Sequence, residues 1–353
     1  MKAVLLAGGF GTRLRPLTID TPKPIVPVFD RPLLRYQIEQ LKQLPEIDEV
    51  ILSLNYQPKA IEEVFGNGSE IGIRINYMVE PSPLGTGGAV KFAAGNLKDT
   101  ILVFNGDVLT NTDLREVIEL HRSRSAKATI VLTPVDNPSA YGLVETAPDG
   151  NVSRFLEKPS DDQITCNTIN AGIYVLEPVT FDRIPDETNW SIERKYFPSL
   201  VESGDTFVAY IDHGYWIDIG TPEKYLQLHR DIMTGTCKAY PFRDVATGHP
   251  HIAPSATVSS DARLEGTCFI AARVEVDEKA TIGSYSVIGT ATRVGSGAVI
   301  DGAIVWSGTT IGANATVRDA IVGHNVTVGD HAVIGPGAVI GDNSVISPYT
   351  RIG

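Results

Sequence analysis

From Ile252 onward the chain carries an aliphatic residue at every sixth position: Ile252, Val258, Leu264, Ile270, Val276, Ile282, Ile288, Val294 and Ile300. The series continues through Trp306, Ile311, Val317 and Val322, slipping by one residue twice, and finishes with Val328, Ile334, Ile340, Ile346 and Ile352. Glycine often follows the anchor, as at Gly283, Gly289, Gly323 and Gly341. A small residue commonly precedes it by two, as at Ala256, Cys268 and Ala298. A period of six fits neither a lone helix nor a lone hairpin. It fits a triangular coil in which each face supplies one inward aliphatic and one tight corner, the hexapeptide form of a parallel β-helix. A run this long makes chance enrichment in Val, Ile and Gly negligible, and about six coils are expected.

The first two thirds of the chain have a different rhythm. Short β-branched runs (Ala3–Leu6, Val50–Leu54, Arg74–Val79, Ile101–Phe104, Ala128–Val135, Ala171–Leu176 and Phe207–Ile211) alternate with helical stretches at Leu33–Leu44, Lys59–Phe65, Gly88–Ala94 and Leu114–Ser123. Alternation of this kind predicts an α/β domain, its mixed but mainly parallel sheet covered by helices. Ligands on such sheets bind beyond the carboxyl ends of the strands. The expected organisation is a Rossmann-like domain over residues 1–233, a linker over 234–250 lacking either period, and a β-helix over 251–353. A chain of 353 residues suits two domains better than one.

The formal net charge of −12 argues against a broad nucleic-acid or anionic-membrane surface. Cys166, Cys237 and Cys268 lie far apart with no CxxC pair, so a zinc site and a disulfide framework are not expected, and a cytoplasmic setting is. The opening "MKAVLLAGG" reads as a buried first strand rather than a signal peptide, and no window approaches a membrane span.

On this acidic chain, "LLAGGFGTRLRPLTIDTPKPIVPV" (Leu5 to Val28) is a local concentration of cations. It is not a P-loop, which needs G-x-x-x-x-G-K-[ST]. It is not a dinucleotide fingerprint either: Leu14 stands where the third glycine belongs, and the next strand ends on Asn55 rather than a carboxylate. The remaining option is a loop that binds phosphates with backbone amides and its own cations. Gly8, Gly9 and Gly11 let backbone approach a triphosphate, Arg13 offers a planar fork, and Lys23 a point charge. Pro22, Pro24 and Pro27 stiffen the segment that presents Lys23.

This stretch closely resembles the signature of the sugar-1-phosphate nucleotidylyltransferases, the NDP-sugar pyrophosphorylases. With a left-handed β-helix behind it, the chain is most similar to that family's mannose-1-phosphate guanylyltransferase branch. The resemblance covers nearly the whole chain. It implies the reaction of a nucleoside triphosphate with a sugar 1-phosphate to give NDP-sugar and pyrophosphate, with Mg²⁺. It assigns nucleotide binding to Leu6, Ala7, Gly8, Gly9, Gly11, Thr12, Arg13 and Lys23. "VFNGDV" supplies Asp107 and "GYWIDIGTPEKY" Asp218 as the metal-binding aspartates, with oxygen ligands suited to Mg²⁺. "FLEKP" supplies Glu157 for sugar hydroxyls and Lys158 for the sugar phosphate. Gly142 in "YGLVE" and Asn170 in "NAGIYV" are further sugar contacts. "EPSPLGTGGAV" resembles the nucleobase loop, with Glu80, Gly85 and Thr86. Guanine presents two adjacent donors that a carboxylate can accept together, so Glu80 leans toward GTP, and a thymidylyl- or uridylyltransferase acting on glucose 1-phosphate is the alternative.

The implied chemistry needs no general base, because the nucleophile is already an ionised phosphate. Arg13, Lys23 and Lys158 would be the catalytic cations, offsetting charge at phosphorus and on departing pyrophosphate. Two rivals are an acyltransferase on the β-helix, using His324 or His331, and a catalytically silent regulatory subunit. The six-residue register continues past both histidines with no long insertion, which argues against the first, and the presence of every motif cation and aspartate argues against the second. A structural β-helix mediating homo-oligomerisation is expected, with no nucleic-acid or membrane partner.

Overall fold

The computed structural model describes residues 1–243 and 248–353, so residues 244–247 of the expected linker lie outside the described residues. The chain packs as two compact units: Met1–Gly9 with Gln37–Trp216, and Phe10–Tyr36 with Ile217–Gly353. The second unit thus takes in two segments that the sequence placed in the first domain.

The first unit is built on β1 (Lys2–Leu6), β2 (Glu49–Leu54), β3 (Arg74–Val79), β4 (Ile101–Asn105), β5 (Ala128–Pro134), β6 (Gly142–Thr146), β7 (Val152–Glu157), β8 (Thr168–Leu176) and β9 (Phe207–Ile211). They form one nine-stranded sheet, ordered β7-β6-β8-β4-β1-β2-β3, with β5 joining β8 to β9. β1 pairs in parallel with β2 and β4, β2 with β3, and β9 with β5; β8 runs antiparallel to β4, β5 and β6. The sheet is therefore mixed, its parallel part centred on β1. β2 is buried along its whole length, and its central Val50–Leu52 is an unbroken apolar run rather than an alternating one. The β6–β7 hairpin was not expected, although Pro148-Asp149-Gly150 between two alternating runs is a turn signal.

Helix α1 (Leu33–Leu41) precedes β2; α2 (Pro58–Phe65), α3 (Gly85–Ala94) and α4 (Leu114–Ser123) follow β2, β3 and the short strand after β4, and a π turn at Ile192–Tyr196 leads into α5 (Phe197–Glu202). Phe197 is the centre of an aromatic core, with ring centroids 5.0–5.6 Å from Tyr174, Phe207, Phe155 and Tyr196.

In the second unit the repeat forms three six-stranded parallel sheets, each strand pairing with the one a full coil later. This is the parallel β-helix expected from the period, in the left-handed form that the resemblance implied. Where glycine follows the anchor, coil-to-coil approach requires it: an added Cβ would lie 2.7 Å from Ser307 N at Gly289 and 2.4 Å from Asp342 Oδ1 at Gly323. The corners themselves fall two residues further on. Lys279, Tyr285, Ala291, Asn325 and His331 take φ of 54–61° there, a conformation that costs non-glycine residues about 1 kcal/mol each.

One anchor assignment is corrected. Val305, not Trp306, pairs with Ile288 and Val322, so the first one-residue slip falls between Ile300 and Val305. Trp306 takes the register position of Gly289 and Gly323. Its indole is 2% exposed, and its Nε1–H donates to Tyr225 Oη at 2.9 Å. Tyr225 lies on α6 (Pro222–Met233) and in turn donates to the Pro27 carbonyl, so Trp306 ties a helix and the proline-rich segment to the coil. A turn along α6, His229 accepts the Phe29 N–H at 3.1 Å and donates to Tyr225 O at 2.8 Å. Burial pushes His229 down to about 4, which keeps it neutral, as the acceptor role requires.

The described part of the linker is packed rather than loose: Cys237, Ala239 and Phe242 are buried, and Tyr36 Oη donates to Tyr240 O at 3.3 Å. Of the histidines of the acyltransferase rival, His324 packs against Trp306 (4.7 Å), and His331, exposed at a corner, stacks on Tyr349 (4.9 Å). Among the described residues no helix is long and apolar enough to cross a membrane.

Candidate functional site

The carboxyl ends of β1, β2 and β4 carry the first predicted residues. Leu6 ends β1, and the Ala7 N–H continues the ladder to Ser53 O at 2.9 Å. Gly8 is held close to the end of β2, where an added Cβ would lie 3.0 Å from Asn55 N. Gly9 is exposed, and an added Cβ there would meet nothing within 4 Å. Packing within the protein therefore accounts for Gly8 but not Gly9, whose lack of a side chain leaves room for a ligand. On the neighbouring strand the Gly106 N–H donates to Leu6 O at 2.9 Å, and an added Cβ would fall 2.6 Å from that oxygen. This close approach sets Asp107, half-buried, beside the start of the glycine loop.

Glu80 follows β3 and is 9% exposed. Its Oε2 accepts the Leu84 N–H at 2.9 Å and its Oε1 the Ser53 hydroxyl at 3.2 Å. The carboxylate organises its own loop, and each oxygen keeps a lone pair for a further donor. At the start of α3, the N–H groups of Gly87 and Gly88 donate to Trp190 O at 2.8 and 3.1 Å, while Gly85 passes so near that an added Cβ would lie 2.9 Å from the same oxygen. Thr86 accepts the Ile192 N–H and donates to Glu193 Oε2 at 2.7 Å.

Gly142 and Glu157 are cross-strand partners, and a Cβ at Gly142 would lie 2.9 Å from Glu157 Oε2. Burial first, then the nearby Glu193 carboxylate, raises the Glu157 pKa against the opposing pull of Lys158 and Arg194. Lys158 is exposed at a left-handed turn (φ 53°), its N–H bonded to Tyr141 O at 3.0 Å. Asn170 sits at a register shift in β8, donating to Tyr174 Oη at 2.8 Å and accepting the Gly172 N–H at 2.9 Å.

Glu193 was not singled out from the sequence. It joins Thr86 at the expected base loop to the surroundings of Glu157 and Tyr174 at the expected sugar end. Its only sequence signal is "WSIER", which reads as an ordinary helix start: Ser191 caps the turn and also donates to Glu193 Oε2.

Gly11, Thr12, Arg13, Lys23 and Asp218 belong to the second unit. Gly11 takes φ +62°, opens a 3-10 turn over Thr12–Leu14, and accepts the Thr18 hydroxyl at 2.7 Å. Lys23 begins a second such turn after Pro22, and its Cβ would be 3.1 Å from a Cβ on Gly11, so the loop folds back on itself. The Arg13 guanidinium lies against Gly220, where an added Cβ would be 2.9 Å from Nη2. Two motifs far apart in sequence, the opening loop and "IDIGTPEKY", thus meet. Asp218 pairs with Lys224, in the first turn of α6, a partner the sequence did not reveal.

Among the described residues no group of three or more His, Cys, Asp or Glu could hold a metal ion. The donors available are single carboxylates, which fit Mg²⁺ as it is commonly bound, by one or two carboxylates with substrate phosphates and water completing the shell.

Residues 2–235 match the nucleotidyl transferase family, and residues 248–352 match the LbH domain of EIF2B subunit epsilon. The chain is 39% identical over 301 residues to a protein of Mycobacterium tuberculosis named mannose-1-phosphate guanylyltransferase, covering 85% of this chain and 82% of that one. It is 40% identical over 284 residues to probable mannose-1-phosphate guanylyltransferase 2 of Arabidopsis thaliana, covering 78% and 76%. Among solved structures, HddC from Yersinia pseudotuberculosis superposes with a TM-score of 0.56 at 30% identity, covering 64% of this chain and 96% of that one. A second HddC structure, complexed with GMP-PN, superposes with a TM-score of 0.55.

Proposed function

Because the chain belongs to the nucleotidyl transferase family, we propose that it transfers a guanylyl group from GTP to mannose 1-phosphate, forming GDP-mannose and pyrophosphate. The observation that carries the substrate pair is its 39% identity, over 85% of its length, to a relative named for that activity. An oxygen of the sugar phosphate attacks the α-phosphorus in line, and the bond from that phosphorus to the bridging oxygen of the β-phosphate breaks. Both partners enter as anions, so the protein's task is alignment and charge compensation.

The glycine loop presents backbone amides to the phosphates, with Arg13 and Lys23 on the departing pyrophosphate. Lys158 holds the sugar phosphate, while Glu157, Asn170 and the Gly142 backbone hold sugar hydroxyls. Asp107 and Asp218 would hold Mg²⁺, which supplies Lewis-acid compensation of phosphate charge. Lys224 keeps Asp218 compensated until then. Self-association through the β-helix belongs to the same reading.

Glu80 is the base-reading residue in this account. Its carboxylate is fixed by Ser53 and Leu84, with lone pairs remaining for the two adjacent donors of guanine. Glu80→Gln can still accept the Leu84 N–H but turns an amide donor toward the base. The expected outcome is a fall of about 10–100-fold in kcat/KM for GTP with little change for UTP or dTTP. Equal losses with all nucleotides would remove Glu80 from base recognition.

A further inference from the structure

The end of the β-helix and the phosphate loop meet within the second unit. In one of the three sheets the residue after the anchor is Gly289, Trp306, Gly323 and then Gly341 in successive coils. Gly289 and Gly323 each face the backbone of the following coil. At Gly341 the three atoms nearest an added Cβ all belong to Pro16, the first at 3.1 Å. Pro16 therefore occupies the place over the last coil that a further coil takes over the earlier ones.

The next residue, Asp342, carries the polar half of the contact. Its Oδ1 accepts the His324 N–H at 2.7 Å, from the coil before, and its Oδ2 accepts the Thr21 hydroxyl at 3.1 Å. Pro16, Ile19 and Asp20 line an open groove of ≈ 380 Å³ against Val339–Asp342. The segment held in this way, Pro16–Thr21, is the one that separates Arg13 from Lys23. Within the segment the Leu17 and Ile19 N–H groups donate to the Leu14 and Pro16 carbonyls, and the Thr18 hydroxyl donates to Gly11 O.

We infer that the last coils of the β-helix are a positioning element for the phosphate loop: Gly341 and Asp342 fix Pro16 and Thr21, and through them the spacing of Arg13 and Lys23. Neither residue touches substrate. The role assigned to the two cations rests on the reading above. The C-terminal repeat then acts on nucleotide binding in each single chain, independently of any self-association.

The test uses the full chain with Thr21→Val, Thr21→Ser and Gly341→Val, in steady-state kinetics with both substrates varied. Thr21→Val removes a hydrogen bond to a carboxylate, and Gly341→Val displaces Pro16. Each is expected to raise KM for GTP about tenfold while KM for mannose 1-phosphate stays within about twofold, and Thr21→Ser restores the GTP value. The split is the informative part, because a merely structural loss would lower the folded fraction and leave both KM values alone. Unchanged KM for GTP in both variants, or equal rises for both substrates, would overturn the inference. Dissociation constants for inorganic pyrophosphate, measured by calorimetry on the same proteins, decide it separately. They should weaken about tenfold in Thr21→Val and recover in Thr21→Ser, and no weakening would overturn it. A wild-type chain that turned over no substrate pair yet bound pyrophosphate would defeat the functional reading without touching this one.

Discussion

Asp107→Asn is expected to lower kcat/KM by about 10³-fold while leaving the thermal midpoint essentially unchanged. The residue follows β4 at a turn fixed by its neighbour: the Gly106 N–H reaches Leu6 O at 2.9 Å, and nothing bulkier than hydrogen fits there. The backbone that places Asp107 therefore does not depend on its side chain. The substitution keeps shape and removes one negative charge, along with the hard anionic oxygen that Mg²⁺ prefers. Pyrophosphate release at saturating GTP and mannose 1-phosphate, with circular dichroism of both proteins, makes the comparison. A loss smaller than tenfold in a folded protein would take Asp107 out of metal binding.

Trp306→Ala should lower stability by about 3–5 kcal/mol. The indole is 2% exposed, packs 4.7 Å from the His324 ring, and donates to Tyr225 Oη at 2.9 Å. Its removal leaves a cavity and takes one hydrogen bond from a buried phenol, whose other bond holds Pro27. The β-helix should survive, because the coil's own anchors are untouched and each coil bonds to its neighbours through the backbone. Urea unfolding followed by far-UV circular dichroism gives the difference. A change below about 1 kcal/mol would mean that α6 is held to the coil by other contacts.

These two residues also mark what could be read in advance. Asp107 could be named from the resemblance because its motif is local: strand, close approach and carboxylate lie within a few positions. The β-helix was legible for the same reason, since its anchors repeat and each coil bonds to the next. Trp306 was misassigned because it is apolar and falls on the six-residue count, whereas the pairing of Val305 with Ile288 and Val322 is decided between coils. Glu193 and Lys224 were missed because their partners are distant or off the motif. Thr86 is more than a hundred residues from Glu193, and a lysine in the first turn of a helix reads as solvated until Asp218 is seen beside it. Glu80 lay between: the sequence offered its carboxylate to a base, and the structure adds that Ser53 and Leu84 already fix its orientation. The least legible feature was the contact of Pro16 with Gly341 and Thr21 with Asp342, since no pattern links the first strand's loop to the last coils.

The most direct test of the account is pyrophosphate release by the full chain with Mg²⁺, over GTP, UTP, dTTP, ATP and CTP against mannose, glucose and N-acetylglucosamine 1-phosphates. Turnover dominated by GTP with mannose 1-phosphate is the predicted result. Turnover dominated by UTP or dTTP with glucose 1-phosphate, or bound nucleotide with no turnover in any pair, would contradict it.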